Sequence, residues 1–202
     1  MITNSPFSSR DADANDPRIA KRELRAALRR RRVELVRNRV IDNRIISSTV
    51  SNTIEFQRAK TVLCYASATH LGEFNTLPLL TSLFTSNKRV CLPVIESDHM
   101  TAHEYGQRDE LRSNSWGIAE PALRRQIRPE EIDLVIVPAL GVSLTGDRIG
   151  YGKAYYDTFL DSSPAIRIVP IYEDFIVEPF PVEAHDQKMD IIVTERRVVR
   201  VV

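Results

Sequence analysis

Residues 132–159 constrain this chain most. An apolar run from Leu134 to Leu140 reads as a buried strand. A polar turn with Gly141 and Gly146 follows. Then come Arg148, Gly150, Gly152 and Lys153, before Tyr155, Tyr156 and Asp157 open a helical pattern. A glycine-bearing loop between a strand and a helix can bring backbone N–H groups and a helix N-terminus onto an anion. Arg148 and Lys153 add positive charge there, and Asp157 adds a hard oxygen of the kind Mg²⁺ prefers. A phosphate site is therefore the leading reading. The loop fits neither GxxxxGK[ST] nor GxGxxG, and a plain turn would account for Gly150 and Gly152 taken alone.

The remaining pattern alternates in the same way. Residues 1–17 are rich in Ser, Asn, Asp and Pro without apolar periodicity and read as a mobile tail. A helix starts near Pro17 or Arg18, with Leu24, Ala27, Leu28 and Leu35 as its apolar stripe. A second helical stretch is predicted over 40–56. Strands are predicted at 61–67, 89–94, 101–105, 132–140, 166–172 and 191–194, with a further one at 198–202. Asn75, Thr76 and Pro78 signal a helix start, and that helix should reach about Ser86. Residues 111–128 read mostly as loop, and another helix is predicted over 152–162. Strands alternating with helices predict an α/β, three-layer, Rossmann-like fold. Its sheet should be open, mostly parallel and flanked by helices, with a basic helix ahead of it. Length argues for a single domain over 18–202, since domains commonly run to about 100–200 residues.

The charge balance is 28 basic against 27 acidic side chains, a formal +1, so no global field points to nucleic acid or a membrane. The local exception is 21–39, with nine Lys or Arg and two Glu. No run approaches the ~18 apolar residues of a membrane span. Cys64 and Cys91 sit inside apolar runs and read as buried, inert thiols. A cytoplasmic protein is the default expectation.

Other segments carry polar groups suited to a ligand. Lys21 and Arg25 lie four apart, on one helix face, and either clamp a polyphosphate or belong to a solvated basic surface. Arg29, Arg30, Arg31 and Arg32 look more like the solvated surface, or a weak patch for a polyanion such as nucleic acid, against which the near-zero net charge counts. Glu73 follows a strand at its carboxyl end, where ligands of open α/β sheets gather. It either accepts hydrogen bonds from a heterocycle or is an ordinary loop carboxylate. Trp116 either stacks on a flat ligand or packs as a half-buried structural aromatic. Asp190, before the apolar 191–193, either joins Asp157 on a metal or caps a turn. His185 reads as a structural donor rather than a general base.

In this order, the segments resemble the 5-formyltetrahydrofolate cyclo-ligase family over about 18–195. Lys21 and Arg25 match the family's Lys-x-x-x-Arg, and Glu73-Phe74-Asn75-Thr76 its Glu-x-x-Thr loop. The run Trp116-Gly117-Ile118-Ala119-Glu120-Pro121 matches Trp-Gly-Ile-x-x-Pro. Arg148-Ile149-Gly150-Tyr151-Gly152-Lys153-Ala154-Tyr155-Tyr156-Asp157 matches the signature loop, and His185-Asp186 with Asp190 match a terminal His-Asp-x-x-x-Asp. This chain departs from the family pattern at Ala154, where glycine is usual, at Leu144-Thr145, where Phe-Asp is usual, and at Thr158, where arginine often stands.

The resemblance implies conversion of 5-formyltetrahydrofolate and ATP, with Mg²⁺, to 5,10-methenyltetrahydrofolate, ADP and phosphate. It implies ATP contacts from Lys21, Arg25, Arg148, Ile149, Gly150, Tyr151, Gly152, Lys153, Ala154, Tyr155 and Tyr156. Arg148 and Lys153 would act on the transferring phosphate. Glu73, Trp116, Tyr151 and Tyr155 would meet the folate, and Asp157 and Asp190 the Mg²⁺. Reduced folate and ATP would be the partners of a monomer, with no membrane or nucleic acid. The altered loop motivates an alternative: a protein of this family's fold that binds nucleotide or folate without turnover.

Overall fold

The apolar runs predicted as strands lie side by side in a computed structural model that describes residues 16–38 and 43–202. The helices are α1 (Pro17–Asn38), α2 (Asn43–Ser51), α3 (Ile54–Arg58), α4 (Leu77–Thr85) and α5 (Tyr155–Asp161). The strands begin with β1 (Thr61–Leu63), β2 (Arg89–Glu96), β3 (His99–Glu104), β4 (Leu111–Ser113), β5 (Ala119–Pro121) and β6 (Gln126–Ile127). They continue with β7 (Leu134–Ile136), β8 (Gly141–Ser143), β9 (Arg148–Ile149), β10 (Ile166–Pro170), β11 (Ile176–Val177), β12 (Ile191–Val193) and β13 (Val198–Arg200).

One sheet of eight strands has the order β13-β12-β10-β7-β1-β2-β3-β6. Its middle, from β12 to β2, is parallel. β13 and β3 flank that middle in antiparallel sense, and β6 pairs antiparallel with β3. The middle strands are buried throughout: Val62, Leu63, Leu134, Val135, Ile136, Ile168 and Val169 have no exposed surface. Strands covered on both faces have to be apolar at every position, which explains the unbroken runs. From β1 the chain crosses by α4 to β2, and from β7 it crosses by α5 to β10, in the opposite direction. Right-handed crossovers in opposite directions put α4 and α5 on opposite faces and leave a crevice between β1 and β7 at their carboxyl ends.

The α/β class and the basic first helix agree with expectation; several boundaries do not. The predicted tail lies outside the described residues up to 15, and Pro17 already belongs to α1. The Asp16 carboxylate accepts from the Arg18 N–H at 2.8 Å, and proline in the first turn gives up no helical bond. The stretch predicted as one helix over 40–56 is two helices as far as it is described, because Thr53 turns extended and its hydroxyl accepts the Phe56 N–H. The 132–140 run stops as a strand at Ile136, and the chain turns into β8, which pairs with β9 and β11 in a small second sheet. The presumed loop at 111–128 contains the β4–β5 hairpin and edge strand β6. Asn114 makes that hairpin's turn, its Oδ1 accepting from the N–H groups of Trp116 and Ile118 at 3.0 Å each. Cys64 and Cys91 are buried, as expected, and burial pushes both thiols up to about 12.

Candidate active site

A cavity of about 650 Å³ opens in the crevice between β1 and β7. Its floor comes from Tyr65 and Ala66 after β1 and from Pro138 after β7. Glu73 enters from the loop that follows β1. Thr76 fastens this loop at the start of α4: its hydroxyl donates to the Tyr65 carbonyl at 2.6 Å and accepts the Ser67 N–H at 3.2 Å. Glu73 Oε2 takes the Ala68 N–H at 2.8 Å. The Glu-x-x-Thr spacing is thus a clip, with the threonine holding the loop and the glutamate facing the cavity.

The opposite wall is the glycine loop, Gly150 to Ala154, running from β9 into α5. Gly152 lies at φ 95°, in the region that favours glycine, and a methyl there would also come within 3.4 Å of the Arg25 guanidinium. Ala154 adopts φ 55° and ψ 11°, so the chain takes glycine's conformation in spite of its Cβ. That geometry predicts the effect of Ala154→Gly. A left-handed non-glycine residue costs about 1–2 kcal/mol, and glycine's extra backbone entropy takes back about 0.5–1 kcal/mol. The variant should be neutral to slightly stabilised in urea unfolding and should keep its activity. Loss of activity would show that the Ala154 methyl has a role the loop's shape does not explain.

Lys153 stands exposed on this loop and makes no hydrogen bond or ion pair among the described residues. Arg148 is otherwise placed. It is 5% exposed, and its Nη2 donates to Asp157 Oδ2 at 2.7 Å, Asp157 being 13% exposed. Its Nη1 donates to the Pro138 carbonyl at 3.2 Å, and the guanidinium sits 5.9 Å from the centre of the Tyr156 ring. Asp157 Oδ1 accepts the Gln187 N–H at 3.2 Å. Asp157 therefore ties the start of α5 to the 183–187 segment and makes no capping bond; Ala154 stands at the cap position.

Helix α1 closes the third side. Its inward face carries cations as well as leucines: Lys21, Leu24, Leu28, Arg32 and Leu35 recur every three or four residues, with Arg25 beside Leu24. Lys21 is 2% exposed and ion-paired with Glu183 at 2.9 Å and with Asp186. Arg25 Nε donates to the Gly150 carbonyl at 3.1 Å, and Arg29 to the Tyr151 carbonyl at 3.2 Å. Arg32 is buried and donates to the Tyr151 hydroxyl at 3.0 Å and to the Ala139 carbonyl at 2.5 Å. Arg32, expected on a solvated surface, is buried and holds the glycine loop from behind, whereas Arg29, Arg30 and Arg31 are exposed as expected. Its signal was available: Arg32 falls on the Leu28–Leu35 stripe.

Trp116 lies at the tip of the β4–β5 hairpin, 51% exposed, with Ile118 beside it on the rim. Tyr151, Tyr155 and Tyr156 line the cavity. Burial raises the Tyr151 and Tyr156 hydroxyls well above the ordinary tyrosine pKa, so both stay protonated. His185 is exposed at the rim, its Nε2 3.9 Å from Asp186.

Two residues expected in the site are elsewhere: Ile149, in β9, is fully buried and does not line the cavity, and Asp190 lies at the far end of the sheet. Asp190 does not line the cavity; it precedes β12 at the amino end of the sheet, and its Oδ2 accepts the Arg167 N–H at 2.7 Å. Strand direction is the reason, since the cavity lies at the carboxyl ends. Besides Glu73 and Glu120, the carboxylates that line it with Asp157 are Glu183 and Asp186. Potential ligand atoms of Glu183, His185 and Asp186 all lie within 4.8 Å of one another. The motif contained both aspartates, and spacing alone did not say which would face the cleft.

The model of the 5-formyltetrahydrofolate cyclo-ligase family matches residues 17–195. The chain belongs to this family. A probable 5-formyltetrahydrofolate cyclo-ligase of Schizosaccharomyces pombe is 29% identical, over 90% of this chain and 98% of that one. The 5-formyltetrahydrofolate cyclo-ligase of Haemophilus influenzae is 32% identical over 70% of this chain and 80% of its own. The solved structure of Aquifex aeolicus 5,10-methenyltetrahydrofolate synthetase superposes with a TM-score of 0.79 at 28% identity, covering 90% of this chain and 92% of that one. Among the described residues no helix is long and apolar enough to cross a membrane.

Proposed function

We propose that this cyclo-ligase family member converts 5-formyltetrahydrofolate and ATP into 5,10-methenyltetrahydrofolate, ADP and phosphate. The observation that carries the reading is the cavity's division. One wall is a glycine loop with a free lysine and arginines behind it; the other is a clipped glutamate with a tryptophan on the rim. Phosphate suits the first wall and the polar edge of a pterin the second.

The formyl oxygen is a poor leaving group. Transfer of the γ-phosphoryl group to it gives an imidate-like phosphate, which the neighbouring folate amine attacks, and phosphate leaves as the ring closes. Phosphoryl transfer asks the protein mainly for position and charge. Lys153 supplies the mobile cation, while Lys21 and Arg25 flank the same loop. Arg148, held by Asp157, fixes where that loop starts. Glu73 accepts from the pterin's N–H groups, and Trp116 covers its face. No covalent nucleophile is required.

Asp157, Asp186 and Glu183 bring hard carboxylate oxygens of the kind Mg²⁺ takes to one cavity, where Arg148 and Lys21 pair with them, so the ion would compete with those two cations for its donors. When bound it would neutralise phosphate charge. The same reading keeps the expectation of a cytoplasmic monomer acting on small molecules.

The test is the absorbance of methenyltetrahydrofolate, with ATP and Mg²⁺ present and with each left out. Product is expected only in the complete mixture. Binding of folate or nucleotide with no product under any condition would overturn the reading in favour of a binding protein.

A further inference from the structure

The rim tryptophan stands on a hairpin that joins neither of the other sheets: β4 and β5 pair only with each other. Among the described residues, the one hydrogen bond from 111–121 to the eight-stranded sheet runs from the Ile95 N–H of β2 to Glu120 Oε1, at 3.1 Å. β1 pairs with β2 only as far as Cys91, and beyond that point Pro93 and Ile95 line the cavity. Glu120 lines the same wall and is 4% exposed. A carboxylate placed so deeply needs donors on every side. Besides Ile95, the Asn114 side-chain amide donates to Oε1 at 2.8 Å, and Arg124 Nη2 donates to Oε2 at 3.3 Å. Paired with Arg124, the carboxylate only accepts. It therefore decides which end of the Asn114 amide faces it. Nδ2 turns to Glu120, and Oδ1 turns back to the N–H groups of Trp116 and Ile118, at 3.0 Å each. An unbroken relay of hydrogen bonds thus runs from β2 through Glu120 and Asn114 to the backbone of Trp116. Trp116 itself is half exposed, so packing does little to fix where it stands.

We propose that Glu120 is a positioning residue for the folate half of the site: by orienting Asn114 it sets where the hairpin turn stands, and so where Trp116 meets the face of a flat heterocycle. This rests on the ligase reading above. The glycine loop and the cations of α1 form other walls and take no hydrogen bond from the hairpin among the described residues. A loosened hairpin should therefore be felt by folate and not by ATP.

Trp116 is the chain's one tryptophan, so intrinsic fluorescence reads its surroundings alone. The test on the full chain is the anisotropy of that emission and its quenching by 5-formyltetrahydrofolate, together with KM for folate and for ATP. Glu120→Ala is expected to lower the anisotropy and to weaken folate binding about fivefold or more, the scale of one lost aromatic stack, with KM for ATP within about twofold. Glu120→Gln keeps an acceptor for Ile95 and Asn114 and should recover part of the loss. Asn114→Asp separates the relay from an ordinary turn. Aspartate accepts the Trp116 and Ile118 N–H groups as asparagine does, so a turn alone would be unharmed. It also presents a second carboxylate to Glu120 and cannot donate to it, so it should lose as much folate affinity as Asn114→Ala. Wild-type folate affinity in Asn114→Asp would overturn the proposal even if Glu120→Ala fails to fold. Equal losses for folate and ATP in Glu120→Gln would also overturn it, since they mark damage to the whole cavity. A wild-type protein that neither binds folate nor forms product would refute the ligase reading itself, whereas normal wild-type turnover with unaltered Asn114→Asp would refute only the role of Glu120.

Discussion

Lys153→Ala is expected to lower kcat by about 30- to 1000-fold while leaving the unfolding midpoint where it is. The lysine projects from a strand-to-helix loop, exposed and without a hydrogen bond or ion pair among the described residues, so folding gains little from it. In the ligase reading its charge meets the phosphate as negative charge moves from ATP to the formyl oxygen. One preorganised donor at such a point contributes about 2–4 kcal/mol to the transition state. The effect should fall on kcat and kcat/KM together, as for an interaction made only in the transition state. Near wild-type kcat in a folded Lys153→Ala protein would remove the lysine from the chemistry.

Arg148→Ala should behave in the opposite way, with a large loss of stability. The guanidinium and the Asp157 carboxylate are 2.7 Å apart and both mostly buried. Removing one member leaves the other charged and uncompensated, a cost of about 3–5 kcal/mol. The Pro138 carbonyl and the Tyr156 face lose a partner as well. Arg148→Lys should rescue little, because a single ammonium cannot span Asp157 and Pro138 as the planar fork does. Asp157→Asn keeps the shape and removes the charge. It should destabilise the protein and raise the Mg²⁺ concentration needed for turnover. Urea unfolding and a magnesium titration read the two effects separately. Wild-type stability in both Arg148→Ala and Asp157→Asn would show that the pair does not hold the loop.

The parts legible in the sequence are those where one physical demand acts on neighbouring residues. A strand buried on both faces needs consecutive apolar side chains, and Val62-Leu63 and Leu134 to Val137 supply them. A phosphate loop needs glycines and cations close together, and Arg148 to Lys153 have them. What stayed hidden depends on partners far along the chain. Glu120 is a charged residue inside a strand, acceptable because its carboxylate receives the Ile95 N–H and the Asn114 amide. Strand β5 therefore carries no apolar signature. Arg32 has the composition of a surface residue and is buried because Tyr151 and Ala139 accept its protons. Asp186 and Asp190 are equivalent by spacing; only the direction of β12 sends one towards the cavity and the other to the amino edge.

The cavity walls come from helix α1, the loop after β1, the glycine loop and the 183–186 segment, and the Lys21–Asp186 contact joins positions 165 residues apart. No partly folded chain that has released α1 retains the pocket. Occupancy and folding are then linked: ligand at a hundred times its dissociation constant adds about 2.7 kcal/mol to the folded state. A cell's supply of substrate would in that way set how long the protein survives its proteases, with starved copies degraded before working ones.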